Sequence, residues 1–209
     1  MKKIILAIAC CATLLSISSV AYSAEGLYVS GNLGLAIPNN SDVTFSDSPG
    51  ATLTVESNSG LALAGAIGYG LSNNVRLEAE VAYQKNDMDK MKILGVGLDI
   101  NGDTSSLALL LNGYYDFKNK SAFTPFIGGG IGIAKVNMSD VTLFGLPIGS
   151  SDDDTVFAYQ VGAGVSYAVN EKVSIDVKYR YFATSDPEFG TSTMEYSSHN
   201  IYAGVRVAF

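Results

Sequence analysis

The feature that most constrains this chain is an alternation of large apolar with small or polar residues at every second position, repeated in eight stretches. A period of two is the geometry of a strand with different surroundings on its two faces. The stretch from Val75 to Lys85 is the clearest. Val75, Leu77, Ala79, Val81 and Tyr83 share one face, and Arg76, Glu78, Glu80, Ala82 and Gln84 share the other. The remaining stretches cover 27–37, about 58–70, 104–117, 123–136, 156–169, 173–182 and 198–209. The segments between them alternate in length. Those at about 38–57, 86–103, 137–155 and 183–197 are long, and those at 71–74, 118–122 and 170–172 are short. Residues 65–83 line up with 163–181 without a gap, each reading as strand, short turn, strand.

The direction of the apolar faces follows from crowding. Turned inward, Leu107, Leu109, Leu111, Ile127, Ile131, Phe157 and Tyr159 compete for a narrow interior, and Gly128, Gly130 and Gly132 face the solvent. Turned outward, the same residues form a continuous apolar belt, and glycine and alanine leave room inside. Charged residues are only 16% of the chain, against about 25% in a typical soluble domain. No segment after the N-terminal leader has 18 consecutive apolar residues, so no helical span is expected. In lipid, every backbone donor and acceptor needs an internal partner, and a sheet meets that need by closing on itself. The expected fold is all-β: an eight-stranded antiparallel transmembrane up-and-down β-barrel with both ends on the short-turn side. Aromatic residues beside the turns (Tyr69, Tyr115, Phe117, Phe123, Tyr167) and beside the long segments (Tyr83, Phe157, Tyr159, Tyr181) suit two headgroup girdles.

The N-terminus reads as a leader. Lys2 and Lys3 precede an apolar run over 4–15, and Ala21 and Ser23 put small residues before a cut at Ala24. The expected division is a signal peptide over 1–23 and an outer-membrane barrel domain over 24–209. Cys10 and Cys11 both lie in the leader, so the mature chain has no disulfide, cysteine nucleophile or thiolate metal site. Removing Lys2 and Lys3 takes the formal net charge from −7 to −9, which opposes nucleic-acid binding. The expected location is the bacterial outer membrane, crossed several times.

The interior faces carry Arg76, Glu78, Glu80, Asp116, Asp176, Lys178, Arg180 and Arg206. Charges away from water must pair. Glu78 and Glu80 set against Arg76, Arg180 or Arg206 give a structural network across a lumen that side chains can fill. A narrow ion path lined by the same charges is the other reading. The long segments are acidic, with Asp152-Asp153-Asp154 the densest run. That rim reads as solvated, or as a surface for divalent cations or a basic partner. The apolar run 143–148 in the third long segment reads as a dip into lipid, a partner contact or a fold over the barrel mouth. His199, with Ser197, Ser198 and Glu195 nearby, is the one arrangement to weigh as a lipid-modifying catalytic site. No catalytic, cofactor-binding or metal-ligating set is expected.

The residues carry a resemblance. Thr124-Pro125-Phe126-Ile127-Gly128-Gly129-Gly130-Ile131-Gly132, the glycine-rich stretch Phe157 to Tyr167, and Val173 to Phe182 resemble the fifth, sixth and seventh strands of small eight-stranded outer-membrane barrels of Gram-negative bacteria, the OmpA-like and surface-antigen type. The resemblance covers essentially all of 24–209. Ile201, Ala203, Val205 and Val207 lead at every second place to Phe209, which resembles the signal read by the barrel-assembly machinery. No peptidoglycan-binding domain is expected after the eighth strand. The resemblance implies a non-enzymatic envelope protein in contact with outer-membrane lipid and lipopolysaccharide. Its acidic surface loops are candidates for adhesion to a host or environmental partner. Narrow porin-like transport stays as the alternative, and lipid modification as a third reading.

Overall fold

The computed structural model describes residues 26–45, 52–71, 73–93, 96–143, 146–149, 151–189 and 192–209. The proposed leader, with Cys10 and Cys11, lies outside the described residues, as does Asp47 of the first long segment. The eight alternating stretches are strands: β1 (Gly26–Pro38), β2 (Gly60–Gly70), β3 (Val75–Ile93), β4 (Asp103–Asp116), β5 (Phe123–Met138), β6 (Asp152–Ala168), β7 (Val173–Thr184) and β8 (Ser197–Ala208). Each pairs antiparallel with the next. β1 also pairs with β8, from Tyr28↔Ala208 to Pro38↔Ser198, so the sheet closes and has no free edge in the wall.

The parity read from the sequence sets the two faces. Leu33, Leu111 and Ile131 are 58%, 70% and 60% exposed on the outside of the barrel. Their neighbours Asn32, Asn112 and Leu110 are buried inside. The interior is more than glycine and alanine. Tyr28, Tyr114, Phe126, Phe182 and Tyr202 also point inward and are buried. Glycines on adjacent strands make space for them: a Cβ on Gly68 would run into the Tyr28 ring, and one on Gly128 into the Tyr114 ring. The Phe126 and Tyr202 rings lie in the same way against Gly164 and Gly34, so four of the five large rings share a narrow lumen by facing a position with no side chain.

The short turns are closed by local chemistry. Leu71 N–H donates to the Val75 carbonyl at 2.8 Å, with Asn74 in the left-handed region at φ 66°. Asn119 Oδ1 accepts from the Ser121 N–H at 2.7 Å, and Asn170 Oδ1 accepts from the Val173 N–H at 2.8 Å. In outer-membrane barrels, turns of this length face the periplasm.

The long segments are themselves largely strand, and the wall strands extend into them. β3 runs eight residues past Lys85, and β6 begins at Asp152 rather than 156. Seven short strands complete a second layer above the wall among the described residues. They form a sheet in the order Glu188–Phe189, Ser192–Met194, Ser41–Phe45, Thr52–Ser57, the top of β3, Val96–Asn101, Val141–Leu143, Leu146–Gly149. All four long segments contribute. We call this layer the crown.

Candidate functional site

Two places carry chemistry: the polar lumen of the wall and the crown above it. All eight charged residues read from the sequence as interior are buried. They form three groups rather than one chain. Nearest the short turns, Arg76 Nε donates to both carboxylate oxygens of Asp116 at 3.0 and 2.9 Å, and its Nη1 reaches Glu78 Oε1 at 3.0 Å. Tyr28 Oη donates to the same Glu78 oxygen at 2.7 Å. The Arg76 guanidinium lies 4.8 Å from the Tyr114 ring centre and 5.1 Å from that of Phe126. Beside this group, Arg206 Nη2 meets Asp176 Oδ1 at 3.1 Å and donates to Ser166 Oγ at 2.7 Å. At mid-wall, Glu80 accepts from Arg180 Nη1 at 2.7 Å and from Lys178 Nζ at 3.3 Å. Arg180 also donates to Gln160 Oε1 and to Tyr202 Oη, each at 2.7 Å.

The sequence grouped Glu78 and Glu80 as one pair of acids facing a pool of arginines. The structure separates them, because each acid takes cations at its own height in the lumen. The hydrogen bond that Tyr28 donates to Glu78 and those that Gln160 and Tyr202 accept from Arg180 were not anticipated. The signal was available: all three share strand parity with the charges.

Above Arg180 the lumen is mixed: Ala36, Ala62, Ala108, Ala134, Val136, Ala158 and Phe182 are buried beside uncharged polar residues such as Gln84, Ser106, Ser198 and Asn200. The fourth long segment folds back over it. Met194 and Tyr196 are buried in the same cluster. Gln84 Nε2 donates to Tyr196 Oη at 2.9 Å, and burial pushes the Tyr196 phenol up to about 12. Three cavities within the wall are each about 10–20 Å³, room for one water at most.

The crown has its own apolar core of Met88, Ile100 and Val141, with Val55, Met91, Met138 and Leu143 against it. Of the apolar run 143–148, Leu143 packs on that core and Leu146 is 68% exposed, while Phe144 and Gly145 lie outside the described residues. The three consecutive acids serve separate ends. Asp152 Oδ1 accepts from the Asp153 N–H at 2.9 Å, Asp153 pairs with Lys135 at 2.9 Å, and Asp154 Oδ2 accepts from the Glu188 N–H at 2.9 Å. Among the described residues, no three His, Cys, Asp or Glu side chains gather as metal ligands.

His199 sits on the outside of β8. Its Nδ1 is 2.6 Å from Tyr179 Oη, and its ring stacks on Tyr179 at 5.9 Å. Ser197 Oγ instead accepts from Asn39 Nδ2 at 2.9 Å. The histidine is a girdle residue in an aromatic cluster with Tyr179 and Tyr181.

A closed eight-stranded barrel with an apolar exterior, a side-chain-filled lumen and a folded outer crown defines an integral outer-membrane β-barrel protein. The chain belongs to the family described as the outer membrane protein beta-barrel domain, matched over residues 7–209. It is 28% identical over 207 residues to the outer membrane protein PagN of Salmonella typhimurium, covering 88% of this chain and 85% of PagN. It is 30% identical over 235 residues to a candidate adhesin of Rickettsia rickettsii, covering 99% of both. Its fold is similar to the crystal structure of Neisserial surface protein A, with a TM-score of 0.58, 22% identity, and coverage of 90% of this chain and all of that one.

Proposed function

We propose that this protein is a surface adhesin: the wall anchors it in the outer membrane, and the crown binds a partner outside the cell. One observation carries the reading. All four long segments are woven into a single folded sheet with its own core, which presents a shaped surface instead of mobile tethers. The likeness to a candidate adhesin across both whole chains supports it. The crown exposes Asp42, Asp87, Asp89, Asp140, Asp152 and Asp153, so the partner surface it fits is basic. The test is display of the full chain on a non-adherent bacterial host, scored by attachment to cultured epithelial cells. Attachment several-fold above vector, lost when Asp87, Asp89 and Asp140 are changed together to lysine, is expected. Attachment equal to vector with the barrel inserted overturns the reading.

The lumen charges are a structural plug in this account, not a channel. Three ion-paired groups whose four cations and four acids balance across the lumen, and cavities of about 10–20 Å³, support that role. Planar-bilayer recording on the refolded barrel is expected to be silent, and discrete conductance of hundreds of picosiemens would recast the charges as a pore lining. Biogenesis follows the same reading. A leader cut near Ala24 exports the chain, and the assembly machinery reads Ile201, Ala203, Val205, Val207 and Phe209. The outward exposure of Ile201, Val205 and Phe209 on the closing strand supports that signal. Once inserted, the belt meets lipid and the level above it meets lipopolysaccharide.

A further inference from the structure

We propose that the outer wall across β3–β6 is a seat for one phosphorylated glycolipid headgroup of the outer leaflet, held by Lys85 and Lys135. The inference rests on the outer-membrane reading and goes beyond it by naming a side of the barrel and its residues.

The level is fixed by where the outward face stops being apolar. The last large apolar outward residues on β3, β4, β5 and β6 are Tyr83, Leu107, Ile133 and Phe157, all exposed. One outward step higher stand Lys85, Ser105, Lys135 and Thr155. On the other four strands the same step holds Asn39, Ser59, Ala183 and His199. Lys85 and Lys135 are therefore the two ammonium groups of this ring, and they flank one strand, β4. Register puts them two strands and two residues apart, roughly 12 Å from strand geometry. That span suits the two phosphates of a bisphosphorylated disaccharide.

Directly above them lies an open groove of about 410 Å³. Its lining includes Ser105, Asn137, Ser139 and Ser151 and three acids, Asp103, Asp152 and Asp153, and the two lysines stand below it. Such a lining pairs with sugar hydroxyls and offers little to an acyl chain. Each lysine rests on one of these carboxylates, Lys85 on Asp103 at 3.3 Å and Lys135 on Asp153 at 2.9 Å, and all four side chains are a third or more exposed. Exposed ion pairs of this kind hold weakly, so an arriving phosphate can take the ammonium while a sugar hydroxyl takes the carboxylate.

The experiment is native mass spectrometry of the refolded full barrel, titrated with bisphosphorylated lipid A, the same lipid A lacking one phosphate, and phosphatidylglycerol. Folding of every variant is checked by heat-shifted electrophoretic migration. The wild type is expected to bind bisphosphorylated lipid A at least tenfold more tightly than phosphatidylglycerol, with the monophosphorylated form between. The double variant Lys85→Ala/Lys135→Ala loses at least tenfold, the double Lys→Arg variant retains binding, and Lys118→Ala/Lys120→Ala at the short-turn end changes nothing. Equal binding by the alanine pair, or equal binding of phosphatidylglycerol, overturns the proposal. A wild-type chain that folds in none of these lipids overturns the barrel reading beneath it, whereas a folded barrel indifferent to both lysines overturns the headgroup seat alone.

Discussion

Where wall strands run up into the crown they keep their parity, yet the chemistry of their two faces changes. On β3, even-numbered residues face in and odd-numbered residues face out along the described length from Arg76 to Asp89. In the wall the inward set is Arg76, Glu78 and Glu80, and the outward set is Leu77, Val81 and Tyr83. Past Lys85 the inward residues are Asn86, whose amide caps the Ala36 and Asn58 carbonyls, and Met88, buried at 6%, and the outward residues are Asp87 and Asp89. β5 makes the same exchange, from outward Ile127, Ile131 and Ile133 to outward Lys135, and inward from Gly128 and Gly130 to Val136 and Met138. The cause is the surrounding medium. Lipid solvates no charge, so the wall puts apolar surface outward and confines polar groups inside. Water solvates carboxylates, so the crown hides its apolar residues in the ordinary way. The position where the pattern inverts marks the outer edge of the membrane on each strand.

Breaking a lumen charge group tests the wall half of this comparison with the largest effect. Glu80 is the single acid facing both Lys178 and Arg180 in the mid-wall group. Glu80→Ala leaves two buried cations without a counter-charge and is expected to cost about 3–5 kcal/mol. Urea unfolding of the barrel refolded in lipid vesicles measures it, and a loss under 1 kcal/mol contradicts a tightly paired lumen. Asp89→Ala, the same truncation of an acid on the same strand above the membrane, is expected to stay within about 0.5 kcal/mol.

The outer face supplies the next largest effect. Leu111 lies midway along the apolar face of β4, between Leu107 and Tyr115, and is 70% exposed. On a soluble protein such a residue accepts arginine freely. Here Leu111→Arg is expected to cost about 2–4 kcal/mol in the same unfolding experiment, because the charge enters hydrocarbon. Lys135→Arg, above the belt on the adjacent strand, leaves the midpoint in place.

The inversion also explains what the sequence disclosed. The wall was legible because lipid imposes a uniform outer face: Leu107, Leu109 and Leu111 alternate without interruption, and each inner charge shares its neighbours' parity. The pairing within the lumen was less legible. Glu78 and Glu80 are two residues apart and identical in kind, and their partners separate only across the closed lumen, where Glu78 meets Arg76 of its own strand and Tyr28 of β1 while Glu80 reaches Lys178 and Arg180 of β7. The crown was the least legible. Its strands are two to six residues long, and they gain order from neighbours distant in the chain, as Val43↔Leu53 and Met194↔Val43 do. Strands that short carry too few alternations to stand out, and their acids, Asp42 among them, read as loop residues. The capping role of Tyr196 was hidden for the same reason, since the turn that sends it inward lies in a segment with no period.

The smallest expected effect addresses the crown as an independent cooperative unit. Ile100 is buried at 4% beside Met88 and Val141, and none of the three belongs to the cluster that fills the wall. Ile100→Ala removes packing from a small core bordered by water and is expected to cost about 2 kcal/mol. The backbone bonds of the wall close around the barrel and do not depend on that core. Hydrogen exchange in vesicles should therefore quicken at crown amides such as Met88, whose N–H donates to the Gly102 carbonyl at 2.9 Å, while β7 and β8 amides in the wall keep their protection. Faster exchange throughout the wall would mean that the two layers unfold as one. The inverted pattern would then mark a change of solvent but not a boundary between two units of stability.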